Sequence, residues 1–142
     1  MTKIDQVYET LQERAAAMED KGPAYVESAA YQLHNLYGAV EDLLQIVAKA
    51  FENHVTDMSR WHTALLHRMT LEIRDTRPAL LSAETAALLQ EMRSFRHFFR
   101  HAYGATLYPS RVAENVERAR QLRPLLQKDI ALFMQKLDLD PA

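Results

Sequence analysis

The chain is predicted to be all-α, an antiparallel bundle of four to five helices. Three observations carry that prediction. Only three glycines and five prolines punctuate 142 residues, which leaves room for few and long helices. Between those breaks apolar residues recur at i, i+3, i+4 and i+7, the period of one helix face. The connections between the periodic stretches are short, which favours antiparallel neighbours.

Taken in order, Ile4, Val7, Tyr8, Leu11, Ala15 and Met18 make residues 3–20 an amphipathic helix. Lys21-Gly22-Pro23 ends it, since glycine suits the position after a helix and proline cannot continue one. The second helix is the longest. Its stripe runs from Val26 through Leu33, Leu36, Tyr37, Val40 and Leu44 to Phe51, long enough to want two neighbours or a second subunit. Gly38, which costs about 1 kcal/mol inside a helix, is read as a point of close backbone approach. Polar residues 53–59 read as a loop. Trp61, Leu65, Leu66, Met69 and Ile73 then form a third helix that ends at Asp75–Pro78.

Ser82 is the expected N-cap of a fourth helix, with Glu84 in its first turn, where the helix dipole favours an acid. That helix carries Leu88, Leu89, Met92, Phe95 and Phe99 inward, reaches Tyr103 and stops at Gly104. A last helix spans 111–137 with Val112, Val116, Ala119, Leu122, Leu126, Ile130 and Phe133 on its apolar side. Pro124 lies inside it and is expected to kink or split it. One domain over residues 1–142 follows from the length, with 1–22 as an N-terminal helix and 24–137 as the core bundle.

Composition removes several functions. Without cysteine there is no disulfide, no thiolate catalysis and no Cys-based zinc site, and the chain suits a reducing cytoplasm. No apolar run is long enough to span a bilayer, and the N-terminus lacks a secretory signal. A formal charge of −2 gives no global pull toward nucleic acid or membrane, so anion binding must come from a local patch. Phosphate-cradling glycine loops and the Gly-x-Ser-x-Gly elbow are also absent.

One stretch concentrates chemical side chains. Residues 92–104 hold three arginines, two histidines and three phenylalanines and no acid. On a helix, Arg96, Arg100, Arg93, His97 and His101 share an arc of about 140°, while Met92, Phe95, Phe98 and Phe99 fill the opposite side. The phenylalanines are core residues that fix where the cations point. Arginine offers a permanently charged planar fork for phosphate oxygens, and histidine titrates near neutrality. Metal-free RNA cleavage needs those parts: a base for the 2′-OH, an acid for the leaving 5′-oxygen and a cation for the phosphorane. A solvated basic face with incidental histidines would leave the same pattern. His97 and His101 have the spacing of a zinc helix, but Phe98 stands where a metalloprotease needs its glutamate and three arginines would repel a dication, so no metal and no cofactor are expected. Tyr103, on the border between the faces, could cap the core or present its hydroxyl. His34, His62 and His67 read as surface or interhelical histidines.

The run Arg96-His97-Phe98-Phe99-Arg100-His101-Ala102-Tyr103 resembles the R-x4-H-x-Y signature of HepT-like ribonuclease toxins of the HEPN superfamily. Tyr31-Gln-Leu-His-Asn-Leu-Tyr37, Trp61-His62 with Leu65-Leu66, and Arg77-Pro78 with Leu81-Ser82 extend the likeness over roughly residues 25–135. The resemblance implies a helical bundle that dimerises and joins two motifs in one cleft. It implies metal-independent cleavage of cellular RNA, tRNA included, by Arg96 and His101 with His97 assisting, where Asn or Asp is more usual; Arg93 and Arg100 would bind phosphate. It further implies a toxin–antitoxin pair with an MntA-like nucleotidyltransferase, which inhibits by binding or by AMPylation of Tyr103. A non-catalytic HEPN protein that binds RNA or nucleotide and docks a nucleotidyltransferase is the alternative.

Overall fold

The computed structural model describes residues 2–52, 58–101 and 108–139, and the side-chain surroundings of all of these except 19–21, 52, 58–63, 97–101 and 139. Five helices account for most of them: α1 (Thr2–Lys21), α2 (Pro23–Glu52), α3 (Met58–Met69), α4 (Ala83–His101) and α5 (Pro109–Leu139). The all-α expectation holds. The only extended pairing among the described residues is an isolated bridge between Ile73 and Arg77.

The packing divides into two compact units, Met1–Glu41 with Glu91–Gln121, and Asp42–Gln90 with Leu122–Ala142. In the first unit α1 buries Ile4, Tyr8 and Leu11, each nearly free of solvent contact. Burial of side chains this large is worth about 1.5–3 kcal/mol apiece. The Tyr8 hydroxyl, which could not be left unsatisfied there, donates to the Ala119 carbonyl at 2.7 Å. Gly22 follows α1 with φ at 85°, a left-handed backbone that glycine adopts without steric cost. Pro23 opens α2, where its missing N–H is no loss. The α2 stripe is buried through Val26, Leu33, Leu36, Tyr37 and Val40. Gly38, by contrast, does not mark a close approach: a β-carbon there would meet nothing within 4 Å.

In the second unit α3 stops at Met69, one turn short of the expected Ile73. Instead of extending the helix, Ile73 exchanges backbone hydrogen bonds with Arg77, each at 2.9 Å. Asp75, at the tip, takes a φ of 62°, a left-handed conformation that aspartate tolerates better than most residues. The backbone N–H groups of Leu80 and Leu81 both reach the Met69 carbonyl at 3.0 Å, tying the end of this connection to the end of α3. Local chain reversal therefore beats a helical period that extended one residue too far. At the other end, Met58 and Ser59 are helical rather than part of the loop; residues 53–57 lie outside those described.

Arg77 fastens the turn. Only 3% exposed, it donates Nη1 to the carbonyls of Leu71 and Pro78, each at 3.0 Å, and Nη2 to that of Arg68 at 3.2 Å. One of these carbonyls, that of Arg68, belongs to the last turn of α3, where helical partners run out. Ser82 caps α4 as expected: its hydroxyl accepts from the Thr85 backbone N–H at 3.2 Å. Buried Asp129 of α5 accepts from the Ser82 N–H at 2.9 Å. Phe51 and Phe133 meet edge to face at 5.7 Å. Pro124 does not split α5, which continues through it. The residue is exposed, so the carbonyl four residues earlier, deprived of its donor, can turn to water.

Replacing Arg77 strands the carbonyls it serves. Arg77→Ala is expected to lower stability by about 2–4 kcal/mol, read as a lower urea midpoint with an unchanged slope.

Candidate functional site

The cationic face of α4 begins in its last two turns. Arg93, Arg96, His97, Arg100 and His101 all lie on the helical backbone, so their angular order is that of a regular helix. Met92 and Phe95 are buried, as the opposite face requires, and Arg93 and Arg96 are half-buried at the border. The side chains of His97, Arg100 and His101 fall outside those described, as does Tyr103 altogether.

Arg96 is the best-defined member of the set. Its guanidinium carbon lies 5.4 Å from the centre of the Tyr37 ring, within the range of a cation–π contact. Its Nη1 lies 3.9 Å from Oε2 of Glu41. Tyr37 and Glu41 are one helical turn apart on α2, so both side chains reach Arg96 from the same strip of helix. All three residues belong to the first compact unit. The arginine side chain keeps 23% of its accessible surface and the glutamate 10%. The Nε of Arg96 is enclosed and makes no hydrogen bond.

The energetics decide how to read this pair. At an effective dielectric of about 20, two unit charges 4 Å apart attract by about 4 kcal/mol. Removing them from water costs several kcal/mol per ion. The terms are of similar size, so the pair adds little net stability. An apolar pair of the same volume would serve the core as well.

Tyr37 records the local field. Burial pushes its phenol up to about 12, the Glu41 carboxylate adds to that rise, and Arg93 and Arg96 oppose it. Arg93 is thereby placed within electrostatic reach of the same ring. Two arginines, one carboxylate and a neutral phenol thus meet where α2 and α4 pack in this unit.

Sequence reasoning missed both α2 residues. Tyr37 was read only as core. Glu41 carries a signal that was available: it falls at the edge of the apolar stripe, about 20° beyond Ala30, whereas Asp42 falls far outside it. A carboxylate at a core-facing position calls for a cation opposite. Of the histidines expected at the surface, His67 is exposed, whereas His34 is half-buried and stacks on Tyr31 with ring centres 6.4 Å apart.

A family model described as "HepT-like protein" matches residues 28–137, and the chain belongs to that family. No curated protein and no solved structure matches it. The family is one of HEPN-type proteins, generally ribonuclease-like, and usually toxins paired with a nucleotidyltransferase antitoxin. No helix among the described residues is long and apolar enough to cross a membrane.

The raised phenol has a defined sign. A group whose proton is held more tightly in the folded state contributes stability below its unfolded value, near 10, and loses it as pH rises through the folded value of about 12. Stability is therefore expected to fall between those two pH values. Tyr37→Phe should flatten that part of the profile, as measured by urea unfolding at a series of alkaline pH values.

Proposed function

We propose that the chain is a metal-independent endoribonuclease toxin whose site is the cationic face of α4. The observation that carries this reading is the state of Arg96. It is held by Tyr37 and Glu41, and its side chain still keeps 23% of its accessible surface. The more deeply buried Arg77, by contrast, spends both of its Nη groups on three backbone carbonyls.

In the proposed reaction the RNA 2′-oxygen attacks the adjacent phosphorus. A neutral histidine takes the 2′-OH proton as the new O–P bond forms, and a protonated histidine gives a proton to the 5′-oxygen as the old O–P bond breaks. The products are a 2′,3′-cyclic phosphate and a 5′-hydroxyl. Arg96 compensates the charge that builds on the phosphorane, where a preorganised cation acts most strongly. His101 is the main acid–base residue and His97 its assistant. Arg93 and Arg100 hold flanking phosphates; with two phosphate contacts per motif, affinity should fall steeply with salt. Two copies of the chain join their motifs in one cleft, which supplies histidines for both proton transfers.

The partner is a nucleotidyltransferase. It transfers AMP to Tyr103: the tyrosine oxygen attacks the α-phosphorus of ATP and pyrophosphate leaves. An AMP group on that tyrosine, seven residues beyond Arg96 in the sequence, would bring a phosphodiester and a nucleobase to the cationic face and shut RNA out.

Arg96→Ala and His101→Ala are expected to abolish growth inhibition by the chain expressed alone while the protein stays folded by circular dichroism; Arg96→Ala, which takes this cation from buried Glu41, should melt lower than wild type. Purified wild type should cleave RNA equally well with and without EDTA, and an inert wild type would sink the reading. After co-expression with its nucleotidyltransferase, intact-mass spectrometry should show AMP-sized additions that Tyr103→Phe removes; no added mass would leave inhibition by binding alone.

A further inference from the structure

We propose that Glu41 is a positioning residue for Arg96: it holds the guanidinium over the Tyr37 ring by charge alone and leaves its donors available to an RNA phosphate. This rests on the reading of Arg96 as the phosphate-facing cation.

The geometry separates charge from hydrogen bonding. The contact of 3.9 Å between Nη1 and Oε2 is an ion pair but too long for a hydrogen bond. The Arg96 Nε is enclosed, so the donors left for a phosphate are those of the two Nη groups. A carboxylate at hydrogen-bond distance in the usual two-pronged arrangement would occupy two donors, and an incoming phosphate would have to break them. A carboxylate one ångström farther away exerts most of the same attraction, because the Coulomb energy falls only as the inverse of distance. The arginine is thereby oriented without being consumed.

Glu41 cannot readily follow the guanidinium outward. It is 8% exposed and rises from the middle of a 30-residue helix. Below the guanidinium the Tyr37 ring sets the plane on which it rests. Arg93 supplies a second positive charge near that ring, so without Glu41 two arginines would repel each other across a neutral phenol. The carboxylate therefore settles where Arg96 sits more than whether the helices fold. Since catalysis depends on charge placed where the transition state needs it, the loss should appear in turnover before it appears in binding.

The test compares wild type with Glu41→Gln, which keeps the shape and removes the charge, and Glu41→Asp, which keeps the charge. Two readouts are taken on the full chain: kcat and KM for a single-stranded RNA substrate, and the Nε–H signal of Arg96 in a nitrogen–proton spectrum, assigned by its loss in Arg96→Lys. Expected for Glu41→Gln are a fall in kcat of about tenfold or more, a KM within about threefold of wild type, and a shifted or broadened Arg96 signal. Glu41→Asp should restore much of kcat and the signal. A Glu41→Gln protein with wild-type kcat and an unmoved Arg96 signal overturns the proposal, even if it melts at a lower temperature. Should the wild type cleave no RNA, the ribonuclease reading falls by itself, and the Arg96 signal still decides whether Glu41 positions that side chain.

Discussion

The buried carboxylate of Glu41 on an otherwise apolar helix face is the constraint around which the first unit is arranged. A charge in that position is tolerable only with a cation opposite, and Arg96 of α4 approaches it to 3.9 Å. That requirement fixes the rotation of α4 about its axis, since Arg96 must look toward α2 while Met92 and Phe95 stay in the core. Once the rotation is fixed, the positions of Arg93, His97, Arg100 and His101 around the helix follow from its 3.6-residue turn.

Most of the fold was legible because long amphipathic helices announce themselves over many turns. The α2 stripe persists from Val26 to Ala48 in the structure, and no single misplaced residue could hide it. The start of α4 was equally readable, because a serine cap is a local feature that needs only the next three residues. Failures came where a local signal met a long-range one. Ile73 keeps helical spacing with Met69, yet the Arg77 side chain and the Met69 carbonyl draw residues 70–81 into a compact turn. Pro124 is a helix breaker by propensity, yet an exposed site lets α5 run on.

The candidate site was half legible for the same reason. Arg96 stood out because it lies in a dense cluster within one helix. Tyr37 and Glu41 are separated from it by more than 50 positions, and only packing reveals that they surround it. Gly38 was misjudged in the opposite direction. Its missing side chain leaves open space on α2 between Tyr37 and Glu41 rather than admitting a neighbouring backbone.

The bond from Tyr8 to the Ala119 carbonyl spans 111 positions of chain. It joins the first helix to a residue that the ribosome adds only when most of the protein has been made. Until then Ile4, Tyr8 and Leu11 have no α5 to pack against, and the leading helix emerges with its apolar stripe uncovered. A contact this distant in sequence slows closure of the first unit. During that interval an early-emerging, greasy α1 is what a chaperone would meet first.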